Sequence, residues 1–211
     1  MSEVFRLYGT LEPPANSEHI TIGQLSFTLE EGALRHIKVG GVEIIRCIAF
    51  LVRDRDWGTL KPRLSLLSSK SIDTSFSLHL EAEFETPTAI LNVSIFVEAV
   101  EDKLTMRAQG IPTGTFETNR AGFTVLHPAR LAGRPVSVEH SNGSIEASNF
   151  PFLIDPWQPF KDIKAITHFA DGLAVDCTFT GDTFEMEDQR QWGDASYKTY
   201  VRPLALPWPY T

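Results

Sequence analysis

Apolar and polar residues alternate with period two along much of the chain, most plainly where Phe76, Leu78, Leu80, Ala82 and Phe84 interleave with Ser77, His79, Glu81 and Glu83. Such alternation predicts a strand with one packed and one wet face. Leu91, Val93, Ile95, Val97 and Ala99 repeat it after the break Thr86-Pro87-Thr88, so the two segments predict a hairpin. A third strand, through Leu104, Met106 and Ala108, follows the polar turn Glu101 to Lys103. Upstream, strands are predicted over Ile20–Leu29, Ala33–Val39 and Val42–Val52, separated by Glu30-Glu31-Gly32 and by Gly40-Gly41. The second of these is a dipeptide suited to the positive φ angles of a tight turn. Downstream, Phe123–Leu126, Val136–His140, Ile163–Phe169, Leu173–Thr180 and Tyr197–Val201 are shorter candidates, bounded by Asn142-Gly143, Asp171-Gly172 and Gly181-Asp182.

No window carries a helical period over three turns. Many short strands with regular turn signals and no crossover helices predict an all-β fold, an antiparallel β-sandwich with little or no helix. They exclude parallel sheets and (β/α) barrels, which need helices between strands. The expected organisation is a single sandwich domain over residues 1–203, followed by a proline-rich extended tail over 204–211, where a second domain could begin. The closing segment RPLALPWPYT, with three prolines and two large aromatics, should pack against something.

Composition narrows the function. A chain of 211 residues that is 42% hydrophobic can form a core without disulfides or a structural metal. A net charge of −8 argues against nucleic acid and anionic membranes as partners and favours a small neutral or polar ligand. Cys47 and Cys177 lie far apart in apolar strand-like surroundings, as buried free thiols do. The stretch Met1–Pro14 lacks the features of a signal peptide, and no run approaches a membrane span, which places the protein in the cytoplasm. The six histidines show no ligand spacing, so neither a metal nor another cofactor is expected.

Nucleophile elbows, dinucleotide and phosphate loops, HExxH and CxxC are all absent, and three polar clusters remain. The first is Arg53-Asp54-Arg55-Asp56-Trp57-Gly58. Arg53, Asp54 and Asp56 could direct hydrogen bonds to sugar hydroxyls while Trp57 stacks on a ring, or the segment is a strand-end charge ladder. The second runs from Thr118 to His140. There Asn119 and Arg120 could bind ligand, and His127 or His140 could exchange protons, or these are satisfied structural residues. Glu139 and His140, adjacent on a strand, point to opposite faces and do not pair directly. The third runs from Phe184 through Asp194 to Arg202. With Phe184 and Met186 in the core, Glu185 and Glu187 share the other face. A returning strand would bring Ser196, Lys198, Tyr200 and Arg202 opposite them. Asp188, Arg190 and Lys198 join Glu187 here as candidates, in a polar wall or a set of cross-strand salt bridges. Trp157 is a further aromatic beside polar residues, and ring opening of an ester would use Arg53, Arg120 or Lys198 to stabilise the oxyanion.

The segments GALRHIKVGGVEIIRCIAFLVRDRDWGT (Gly32–Thr59), TNRAGFTVLHP (Thr118–Pro128), GRPVSVEHSNGS (Gly133–Ser144), PWQPFKDIKAITH (Pro156–His168) and FEMEDQRQWGDASYKTYVRPLALPWPY (Phe184–Tyr210) together resemble the N-terminal β-domain of the D-apionate lactonase family. The resemblance implies part of a bacterial carbohydrate-catabolic hydrolase, opening D-apionolactone to D-apionate in the breakdown of apiose. Family members continue into a (β/α) barrel. The expected role is recognition of a sugar or sugar lactone, completed by a barrel domain or by a homo-oligomer. If the chain is catalytic, it is a carboxylic-ester hydrolase acting on a sugar lactone. The domain is also distantly similar to the supersandwich of aldose mutarotases. That similarity suggests an alternative, a stand-alone epimerase-like sugar enzyme with Glu187 as base and His127 or His140 as acid. A non-catalytic structural domain is the third reading.

Overall fold

The computed structural model describes residues 3–11, 15–192 and 195–211. Gly193 and Asp194 of the third polar cluster, and Met1, Ser2, Glu12, Pro13 and Pro14 of the N-terminal stretch, lie outside the described residues. Fifteen strands are joined almost entirely by turns: β1 (Ser17–Ile22), β2 (Leu25–Glu30), β3 (Ala33–Val39), β4 (Val42–Asp54), β5 (Arg63–Ile72), β6 (Ser75–Glu85), β7 (Ile90–Val100), β8 (Lys103–Thr113), β9 (Thr118–Pro128), β10 (Pro135–His140), β11 (Ile145–Asn149), β12 (Ile163–Ala170), β13 (Leu173–Thr178), β14 (Phe184–Asp188) and β15 (Ser196–Val201). One short helix, α1 (Glu3–Tyr8), precedes them. Among the described residues no helix is long and apolar enough to cross a membrane.

The strands form two antiparallel sheets. The larger has eleven, in the order β1-β2-β3-β4-β9-β15-β14-β12-β10-β11 with β13 beside β12; the smaller has four, β5-β6-β7-β8. The alternation read at Phe76–Phe84 becomes register: Phe84 faces Leu91, Leu80 faces Ile95 and Phe76 faces Ala99. Their buried face closes a core with Phe27, Leu34, Ile45 and Val52 of the larger sheet. The Gly40-Gly41 turn takes the positive φ angles it was expected to take, 56° and 83°.

Beyond β9 the larger sheet curls. Although β15 and β14 lie between β9 and β12 in the sheet, the rings of His127 on β9 and His168 on β12 meet at 5.6 Å. This cup holds a second apolar cluster of Val136, Val138, Phe150, Phe160, Ile166, Met186 and Tyr197. Phe179 packs against both clusters and so joins them.

Three details differ from the sequence reading. The segment Ile20–Leu29 is two strands, because Gly23, at φ 56°, turns the chain. Strands β5 and β11 carried no readable alternation, and every residue of β5 is exposed. Finally, Cys47 is buried but Cys177 is partly exposed, and neither is in a disulfide.

Candidate functional site

Register decides which polar side chains meet. On β9, Arg120 lies opposite Arg53 of β4, while Thr124 lies opposite Tyr200 and Leu126 opposite Lys198 of β15. On β14, Glu185 lies opposite Tyr200 and Glu187 opposite Lys198. Directly opposed residues share a face, so Arg53, Arg120, Tyr200, Lys198, Glu185 and Glu187 stand on one face of four neighbouring strands. Val52, Val125 and Met186 point the other way, into the cores.

Tyr200 is the hub of this face. It is fully buried, and its hydroxyl donates to Glu185 Oε1, which also accepts the Leu204 N–H. Burial and the neighbouring Glu185 carboxylate push the phenol pKa up, which keeps it a neutral donor. The Arg120 guanidinium stacks 3.9 Å over the Tyr200 ring and 5.7 Å from the Trp57 ring. It is 5% exposed, its Nε has no hydrogen-bond partner, and no salt bridge reaches it among the described residues. Burial lowers its pKa. The Lys198 ammonium pairs with Glu187 Oε2 at 2.7 Å and lies 5.1 Å from the Tyr200 ring. Desolvation lowers its pKa against the pull of Glu187.

Two segments frame the cluster. Asp54 Oδ1 accepts the N–H groups of Asp56 and Gly58 at 2.8 and 2.7 Å, and Arg53 Nη1 donates to the Trp57 carbonyl at 3.2 Å. Asp54 therefore shapes the loop that presents Trp57, and Asp56 faces solvent. Asn119 fastens the same loop through Nδ2 to the Arg55 carbonyl. On the other side the tail returns. Tyr210 exchanges backbone hydrogen bonds with Thr118, its hydroxyl accepts the Ala121 N–H, and Trp208 packs edge-on against Trp57 at 5.4 Å.

The remaining candidates lie elsewhere. His127 is fully buried on the opposite face of β9 from Arg120, with Nε2 2.9 Å from Thr199 Oγ1. Burial, with His168 adding to it, pushes its pKa down to about 3. His140, on β10, has Nδ1 3.1 Å from the carbonyls of Lys161 and Asp162 and Nε2 3.4 Å from Glu146. The sheet thus separates both histidines from Glu187. Asp188 points into the cup and pairs with Arg190 at 2.7 Å; Arg190 also donates to the carbonyls of Phe152 and Leu153. Trp157, in the loop after β11, is 75% exposed. The alternation had paired Glu185 and Tyr200 without marking either as a site residue, and Trp208 carried no signal beyond its aromatic ring.

Two surface depressions include none of Arg120, Lys198, Tyr200 and Glu187 in their lining. One, of about 380 Å³, is lined by Arg130, Arg134 and Phe169; the other, of about 350 Å³, by Arg35, Cys47, Leu60 and Phe84. The Arg120 cluster thus brings a guanidinium, an ammonium and two carboxylates together beside two indoles, with Tyr200 and Glu185 buried and Glu187 and Trp208 reaching solvent, the kinds of group that hydrogen-bond and stack on oxygen-rich ligands.

Comparison with known proteins places the chain. Residues 5–211 match the family described as D-apionate lactonase, N-terminal domain. Over 210 residues the chain is 50% identical to a D-apionate lactonase of Brucella anthropi, covering 98% of this chain and 34% of that protein. It therefore spans about a third of the length of the curated relative it matches. With a match over nearly its whole length, the chain belongs to the D-apionate lactonase N-terminal domain family.

Proposed function

We propose that this domain supplies a sugar-lactone recognition face to a carbohydrate-catabolic hydrolase and acts together with further parts of the lactonase polypeptide. Arg120 carries the reading. Among the described residues the buried guanidinium has no salt bridge and an unpaired Nε, with Glu185 and Glu187 acting on it only through space, and an incoming lactone carbonyl or sugar carboxylate would supply a direct acceptor. Glu187 and Lys198, fixed by their ion pair, orient hydroxyls beside it, and Trp57 and Trp208 cover an apolar ring face. If ester opening draws on this face, Arg120 and Lys198 are the groups that stabilise the developing oxyanion.

Titration calorimetry of the 211-residue chain with D-apionolactone and with D-apionate tests this reading. Arg120→Lys, which keeps the charge and loses the planar fork, is expected to weaken binding about 10–100-fold, and Lys198→Met comparably. Both variants should melt close to the parent. The absence of heat from the parent at about 10 mM ligand would refute the recognition role.

A further inference from the structure

His127 of β9 comes from far along the chain to meet His168 of β12 and Cys177 of the adjoining β13, and the ligand atoms of the three lie within 4.8 Å of one another. Both imidazoles are fully buried, and His127 Nδ1 and both ring nitrogens of His168 have no hydrogen-bond partner. Apolar groups stand close to His168. Phe150 stands 5.9 Å from its ring, and its cross-strand neighbours are Val136 and Val175. Buried polar nitrogens are rarely left unpaired, so one orphaned nitrogen from each of two imidazoles meeting beside one thiol points to an absent partner that takes lone pairs.

We infer that His127, His168 and Cys177 form a binding site for a borderline-soft divalent metal ion, zinc above all. A His₂Cys donor set is one that zinc accepts, and it selects against hard oxygen-seeking cations. Zinc bonds of about 2.0–2.1 Å to nitrogen and 2.3 Å to sulfur set the ligand atoms of a tetrahedron roughly 3.4–3.6 Å apart, so closing this trio needs movements on the order of 1 Å. For His127 the support a ligating histidine needs is already in place. With the metal on Nδ1, His127 donates Nε2–H to Thr199 Oγ1, 2.9 Å away, which fixes its tautomer and ring orientation. Partly exposed Cys177, on a strand hydrogen-bonded only to β12, gives the ion a way in. On binding, the Cys177 thiol loses its proton to solvent and the thiolate ligates, leaving a fourth position for water. The site stands on the opposite face of β9 from Arg120, so it holds or fails independently of the sugar reading.

Cobalt and zinc chlorides are the probes, applied to the 211-residue chain after chelator treatment and reduction. One equivalent of cobalt is expected to bring up the sulfur-to-cobalt charge-transfer band in the near ultraviolet and the intense visible bands of a tetrahedral site. Zinc should abolish both bands and raise the melting temperature. Cys177→Ala should lose the charge-transfer band and bind zinc at least about a hundredfold more weakly, and Thr199→Val about tenfold more weakly, since support around a ligand alone governs affinity by 10–100-fold. A parent chain that gives no charge-transfer band and no zinc-dependent rise in melting temperature overturns the inference, whatever the variants do. So does a Cys177→Ala protein that binds zinc as tightly as the parent.

Discussion

Gly122 shows how closely β9 and β15 are fitted beneath the polar face. A β-carbon built there would fall on Val201 Cγ1, inside any permissible contact, and the residue sits two positions from Arg120. Gly122→Ala must therefore displace either the edge of the second core or the strand that carries Tyr200. The expected cost is about 1–3 kcal/mol, read as a lower denaturation midpoint at unchanged slope. An unchanged midpoint would mean that β9 can shift without disturbing its neighbour. At the same scale the polar clusters were only half legible. Parity put Glu185 and Glu187 on one face and Lys198 and Tyr200 on one face, and the register joins them. What the sequence could not supply was the face that His127 takes. Parity sets Arg120 and His127 on opposite faces of β9, and which of the two faces turns to the core depends on the packing around the strand. The meeting of His127 with His168 and Cys177 was hidden because it needs the curl of the sheet, although His168 and Cys177 themselves share one hairpin.

Among the connecting elements, the loop from Phe150 to Trp157 is held by the Tyr197 hydroxyl, which donates to the Pro151 carbonyl at 2.6 Å, and by the ion pair of Asp188 with Arg190. Arg190 binds Asp188 and two loop carbonyls, while Asp188 Oδ2 accepts the Asp155 N–H at 3.0 Å. Burial pushes the Asp188 carboxyl up. Hydrogen bonds from the Arg190 side chain and from the Asp155 and Arg190 N–H groups outweigh it and hold the carboxyl below the usual carboxylate range. A depressed carboxylate stabilises the fold fully above its unfolded pKa of about 3.9, and the contribution is lost as pH falls through the folded value. Arg190→Met should therefore cost about 3 kcal/mol at neutral pH, with the deficit shrinking below about pH 4. Denaturant titrations across pH test this, and a deficit independent of pH would show that Asp188 draws no stabilisation from Arg190. Strands were legible where one face was buried and the other wet, as in β6 and β7. They were not legible where that asymmetry vanishes. Fully exposed β5 has no packed face to impose alternation, and β11 is nearly as exposed.

At the level of the whole molecule, sheet order departs from chain order at one place above all. Strands β4 and β9 are neighbours, yet all of β5 to β8 intervenes, so Thr118 Oγ1 reaches the Arg53 carbonyl across 65 residues of sequence. That arrangement has a kinetic consequence. Every pairing within the smaller sheet joins consecutive strands, so it can form by local hairpins, whereas the β4–β9 pairing must close a long loop. Hairpins formed first shorten the span that remains to be closed, so the four-stranded meander should be the early part of the folding reaction and the β4–β9 seam the late part. Val93→Ala in β7 is expected to slow refolding, whereas Val52→Ala in β4, equally buried, should chiefly speed unfolding. Stopped-flow chevrons of the two variants would show it, and the reverse partition would mean that the seam closes first and the meander folds onto it.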